Sequence, residues 1–147
     1  MPGHGPRRWL GRWLLQREFR VYRQLQDFPW APRCYGLLDG RYLILEYIEG
    51  TPRYRAEIRD REQFFTELRE AIDSLHARGV AHGDLQKQDN LLVVDGHPRI
   101  IDFGTAIRRR ARFAPLNWLI YRFASRLDNN VWVKLKYRGR PAEATEQ

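Results

Sequence analysis

Residues 79–104, GVAHGDLQKQDNLLVVDGHPRIIDFG, constrain this chain more than any other stretch. Asp84 follows His82-Gly83, and Asp102 opens Asp-Phe-Gly 18 residues later. Between them lie Lys87, Asn90 and two short apolar runs on either side of Asp95-Gly96. Asp-Gly between such runs predicts a turn between two strands. An ordinary solvated surface does not require two aspartates beside turn glycines, separated by a short hairpin. A site that holds a metal–phosphate complex does.

Composition narrows the setting. At 147 residues and 43% apolar content, the chain suits one globular domain with a real core. One cysteine, Cys34, excludes a disulfide framework and a multi-cysteine zinc site, which suits a reducing compartment. Arg12 and Arg17 interrupt the apolar part of the N-terminus, so it reads poorly as a signal peptide. The longest run without a charge is nine residues, 113–121, too short to span a bilayer. The expectation is a soluble or peripheral protein. Its net charge of +8 is concentrated at both ends: residues 1–26 hold six arginines against the single Glu18, and residues 107–140 are more basic still. Such end-loading suits an anionic lipid, glycolipid or nucleic-acid partner, although it also serves solubility alone.

Residues 7–26 read as a helix, with Leu10, Leu14, Val21 and Leu25 recurring near 3.6, joined by Trp13 and Tyr22. Glu18 falls inside that stripe and points inward with it. Pro29 and Pro32 end the helix. Residues 34–50 read as two strands around Asp39-Gly40, and residues 49–52 as a break. A second helix is expected over 60–78, with Phe64, Phe65, Leu68, Ile72 and Leu75 on one face and Gly79 as its stop. A loop over 81–90, strand 91–94, turn 95–96 and strand 99–101 follow. Residues 116–127 form a basic amphipathic helix with Leu116, Leu119, Ile120, Phe123 and Leu127 in register. Residues 129–138 fit a strand or a helix equally, and 141–147 read as a frayed tail.

Phosphoryl transfer asks a protein mainly for positioning and charge neutralisation. Asp84 suits reception of an acceptor proton. Asp102 and Asn90 supply the carboxylate and amide oxygens that magnesium, a hard ion, prefers. Lys87 can offset charge on the transferring phosphate. His82 reads as a structural buttress, and His4, His76 and His97 show no ligand spacing. In this order the motifs resemble those of the protein-kinase-like superfamily, with His-Gly-Asp matching its catalytic loop and Asp-Phe-Gly its metal-binding segment. Within the superfamily the chain looks most like small bacterial members: lipopolysaccharide core kinases, RIO-type kinases and aminoglycoside phosphotransferase relatives.

The resemblance implies an α+β, kinase-like fold over residues 1–147, with a partial small lobe and hinge over about 8–48 and a reduced, mostly helical large lobe over 49–140. It implies ATP and Mg2+ as cofactors, Asp84 as catalytic base and Asp102 as a metal ligand. Glu18 would be the helix glutamate that pairs with a lysine, and the backbone of Glu46 and Ile48 would meet adenine. The kinase pattern places the metal-binding asparagine five residues after the catalytic aspartate. Here that slot is Asp89, and Asn90, which directly precedes the strand, is the preferred ligand. No lysine occurs before Lys87, the Gly-rich loop and its strands are absent, and FAPLNW is not the A-P-E motif. These departures favour a glycolipid, sugar or small-molecule acceptor over a Ser/Thr of a docked protein. They also keep open an inactive relative acting as a nucleotide-binding module, and a start that lies further upstream. A cytoplasmic protein, or one peripheral on the inner face of a bacterial inner membrane, is the expected setting. Nucleic acid is the least favoured partner, because no nucleic-acid motif is present.

Overall fold

A computed structural model describes residues 6–110 and 114–137. Helix α1 (Pro6–Gln24) precedes a hairpin of β1 (Cys34–Leu38) and β2 (Tyr42–Leu45), then β3 (Thr51–Pro52) and α2 (Arg61–Ala77). Strand β4 (Val80–Ala81), the hairpin β5 (Leu91–Val94) and β6 (His97–Ile100), β7 (Ile107–Arg108) and α3 (Pro115–Tyr137) complete it. The described residues form an α+β fold of helices around three small antiparallel sheets, β1-β2, β3-β5-β6 and β4-β7.

Local chemistry explains the central elements. Asp60 caps α2 by accepting the Gln63 N–H at 2.9 Å. Phe64, Phe65, Leu68, Ile72 and Leu75 share its inner face and are all buried. Gly79 stops it at φ +73°, a conformation glycine adopts without a Cβ penalty. The β5–β6 turn is Asp95-Gly96, both left-handed, and the register pairs Val94 with His97 and Leu91 with Ile100. The α2 face meets Val21 and Tyr22 of α1 and Leu25 just beyond it, with Ile100, Phe103 and Val131, in one core.

Several expectations change in the folded chain. The α1 stripe is buried only at its C-terminal end. Leu10, Trp13 and Leu14 are exposed, because the β1–β2 hairpin covers just one side of that half of the helix. The segment read as a break contains β3, whose Thr51 and Pro52 pair with Val93 and Leu92. Gly50 permits that approach: a Cβ there would lie 2.9 Å from Val94 Cγ2. The loop expected over 81–90 begins with Ala81 still in β4, paired with Ile107 of β7. Residues 116–127 and the ambiguous stretch after them are one continuous helix, α3. The expected tail over 141–147 and His4 lie outside the described residues. No helix among the described residues is long and apolar enough to cross a membrane.

Candidate active site

The loop carrying Asp84 is held from behind. His82 is fully buried, and its Nε2 faces the Ile101 carbonyl at 3.0 Å. A ring nitrogen against a carbonyl must carry the proton, so Nδ1 is the acceptor that receives the Asp84 N–H at 3.3 Å. Burial holds the imidazole pKa below its ordinary value, so the ring stays neutral. Its role is to brace, as the sequence suggested. From the other side, fully buried Asp128 of α3 accepts the His82 N–H at 2.8 Å on Oδ2 and the Gly83 N–H at 2.8 Å on Oδ1. The same carboxylate meets His76 Nε2 at 2.9 Å, and Tyr121 Oη donates to the His76 carbonyl.

Asn90 joins the two motifs. It is buried, its Nδ2 donates to the Asp84 carbonyl at 2.9 Å, and its own carbonyl accepts the Ile101 N–H at 2.9 Å. With Nδ2 committed, Oδ1 is the amide oxygen left for another partner. Asp89 is exposed, so the inward position belongs to Asn90. Asp102, at φ +63°, is half-exposed, and its Oδ1 accepts the Gly104 N–H at 3.3 Å. Lys87 Nζ stands 3.6 Å from Asp102 Oδ2. Phe103 turns the opposite way into the core, its ring 5.0 Å from His82 and 5.4 Å from Tyr22 of α1. The burial of Phe103 fixes the direction in which Asp102 projects.

A cleft of about 380 Å3 runs from Glu46, Tyr47 and Ile48 to Glu18, Ile101 and Asp102, with Leu92 beside them. The Glu46 N–H is already bonded to the Arg33 carbonyl at 2.8 Å, so its backbone carbonyl is the group left to offer. The Glu46 side chain turns away, accepting the Arg33 N–H at 2.9 Å and pairing with Arg99 at 3.3 Å. The Arg33 amide, with Arg99, lowers its carboxyl pKa. Glu18 is half-buried and faces Asp102, and among the described residues no cation pairs with it. Burial, then the neighbouring Asp102 charge, raises its pKa. Arg17, one residue earlier, bonds the Ala106 carbonyl at 3.0 Å and ties α1 to the segment after Asp-Phe-Gly. A larger cavity of about 920 Å3 lies between the end of α1 and β1, but its walls include neither aspartate nor Asn90. The smaller cleft is therefore the candidate site.

Asp84, Lys87, Asn90 and Asp102 thus converge, and Glu18, Glu46 and Ile48 share a cleft with Asp102. Sequence reasoning missed Asp128. Its signal was an acid in register with Tyr121, Ala124 and Val131, the α3 positions that are in fact buried. The residues suit a magnesium–nucleotide in donor chemistry: two hard oxygen donors, one carboxylate half-open to solvent, and an ammonium already drawn to it. Among the described residues no group of three or more His, Cys, Asp or Glu side chains is arranged to hold a metal ion by itself. An ion that takes its remaining ligands from water and phosphate does not require one.

The protein kinase domain model matches residues 15–114 of this chain. The chain belongs to the protein kinase domain family. Among curated relatives, CBL-interacting serine/threonine-protein kinase 8 of Arabidopsis thaliana is 31% identical over 100 residues, covering 61% of this chain and 22% of that protein. CBL-interacting protein kinase 4 of Oryza sativa subsp. japonica is 34% identical over 102 residues, with the same coverage. The chain thus spans about a fifth of the length of these relatives. Among solved structures, a Rio2 kinase–ADP/Mg2+–phosphoaspartate complex from Chaetomium thermophilum matches with a TM-score of 0.64 and 17% identity, covering 91% of this chain and 42% of the other. That likeness is one of fold.

Proposed function

We propose that residues 1–147 form a single kinase-like domain, with a partial small lobe and hinge over about 8–48 and a reduced large lobe over 49–140, that transfers phosphate from ATP in a Mg2+-dependent reaction. The observation that carries this reading is the linkage of the two motifs through Asn90, which ties the Asp84 carbonyl to the Ile101 amide next to Asp102, where Lys87 stands 3.6 Å from the Asp102 carboxylate at the cleft wall. In this reading Asp84 orients the acceptor hydroxyl and receives its proton. Asn90 Oδ1 and Asp102 would hold the metal, which would neutralise phosphate charge. Lys87, 3.6 Å from Asp102, would offset charge on the transferred phosphate. The Glu46 carbonyl and Ile48 N–H bond adenine. The ADP and Mg2+ in the Rio2 complex support the same ligand class here.

The acceptor is a glycolipid, sugar or other small molecule. Only ten residues separate Gly104 from the first residue of α3, too few for a long segment on which a protein substrate docks. The reaction takes place in the cytoplasm or at the inner face of a bacterial inner membrane. The test is nucleotide binding with and without Mg2+, beside ATP consumption. Asp102→Asn should abolish Mg2+-dependent binding, while Asp84→Asn should keep binding and lose turnover. Normal Mg2+-dependent binding by Asp102→Asn overturns the assignment. A second reading, a nucleotide-binding regulatory module, is favoured by Glu18, which meets Asp102 instead of a cation. Binding without turnover in the unaltered chain selects it.

A further inference from the structure

α3 has two faces with opposite environments. Tyr121, Ala124, Asp128 and Val131 are buried toward β4, β7 and the Asp84 loop. The other side carries Leu116, Leu119, Ile120 and Phe123, exposed by 69, 60, 44 and 63%. These members of the apolar register that the sequence places along an amphipathic helix therefore point to solvent. A helix that buries a carboxylate and exposes four large apolar residues within eight positions reverses the usual arrangement.

The surroundings of that stripe are basic. Arg122 lies over the exposed Trp118 ring at 4.5 Å, and Arg126 follows one turn later. Six arginines and no acid occur between Asp102 and Asp128. Asp128 is the only acid of α3 and is fully buried, so the outer face carries no negative side chain of its own helix.

We propose that the outer face of α3 is an interfacial binding surface for anionic lipid. Leu116, Leu119, Ile120 and Phe123 enter the headgroup–acyl boundary, Trp118 sits at its level, and Arg122 and Arg126 meet lipid phosphates. Charge decides against the other occupants. A second copy seated symmetrically on this face brings like arginine-bearing surfaces together. A nucleic acid satisfies the arginines but leaves the aliphatic side chains in water. The inner face of the same helix grips the catalytic loop through Asp128, so a membrane-bound α3 holds that loop about one helix diameter, roughly 10 Å, from the lipid surface. This deepens the glycolipid part of the proposed function; the lipid contact itself does not rest on turnover.

The experiment is flotation of the full 147-residue chain with phosphatidylcholine vesicles, with and without phosphatidylglycerol, at low and high salt. Binding to the anionic vesicles, weakened by salt and lost on neutral ones, is expected. Arg122→Gln with Arg126→Gln should weaken it about thirty-fold, from about fivefold per surface arginine. Leu119→Ser with Phe123→Ser, both at exposed positions, should weaken it at least about tenfold with an unchanged melting curve. Asp84→Asn should bind vesicles like the unaltered chain, so failure of catalysis and failure of docking separate. No flotation, or equal flotation on neutral vesicles, overturns the proposal. So does a self-associated state or RNA complex that these substitutions abolish while vesicles do not bind.

Discussion

Asp128 and Glu18 are both helix carboxylates turned toward the site, one from α3 and one from α1, and their surroundings differ completely. Asp128 is fully buried and accepts from the His82 and Gly83 amides while meeting His76. Glu18 is half-buried, faces the like charge of Asp102, and has no cation partner among the described residues. The Asp84 loop is thus held from behind by matched hydrogen bonds, as buried polar groups require. The α1 side keeps an uncompensated negative field that a metal or a basic group would relieve. The difference teaches where the polar groups of this fold are matched and where a carboxylate is left uncompensated.

The strongest test of that comparison is Asp128→Ala, which strands two buried amides and the His76 ring. Urea unfolding should show a loss of about 2–5 kcal/mol, from the cost of unsatisfied buried donors. A loss below about 1 kcal/mol would break the comparison, because the loop would then be held by something else.

A smaller effect should appear with pH. His82 is kept neutral in the fold, with its ordinary value at 6.5, while the unfolded chain takes up the proton freely. The unfolded state therefore binds more protons, and stability is lost as pH falls from 6.5 toward the depressed folded value. The slope from this one group is at most about 1.4 kcal/mol per pH unit. The diagnostic measurement is the difference in slope between the unaltered chain and His82→Asn. Identical slopes would mean that His82 is already protonated in the fold.

The smallest expected change is at Glu18. Its folded pKa is raised, so the stability it contributes is present below 4.5 and is lost as pH rises through the folded value. Glu18→Gln should therefore raise the melting temperature slightly at pH 7, and the gain should vanish at acid pH. A lower melting temperature at pH 7 would reveal a cation partner and remove the asymmetry between the two carboxylates.

Much of the site was legible because its signals are local. Asp60 and Gly79 bound α2, and Asp95-Gly96 fixes the β5–β6 turn, each through hydrogen bonding or φ preference within a few residues. The preference for Asn90 over Asp89 followed from its place directly before the strand, and the buried Asn90 and exposed Asp89 have that arrangement. Strand β3 was not legible: two residues hold no period, and their pairing depends on the free edge of β5 some 40 residues later. The β4–β7 pair has the same origin.

By itself the sequence determined the kinase-like order of motifs, the α2 face, the hairpin that separates Asp84 from Asp102, and a bracing His82. Only the tertiary structure decided which way α3 faces. Its two candidate faces are both rich in apolar residues, and hydrophobicity alone favours the stripe through Leu116, Leu119 and Phe123. The choice goes instead to the face with Asp128, because two loop amides and a histidine need that carboxylate, and partners so far apart in sequence meet only when the chain is folded.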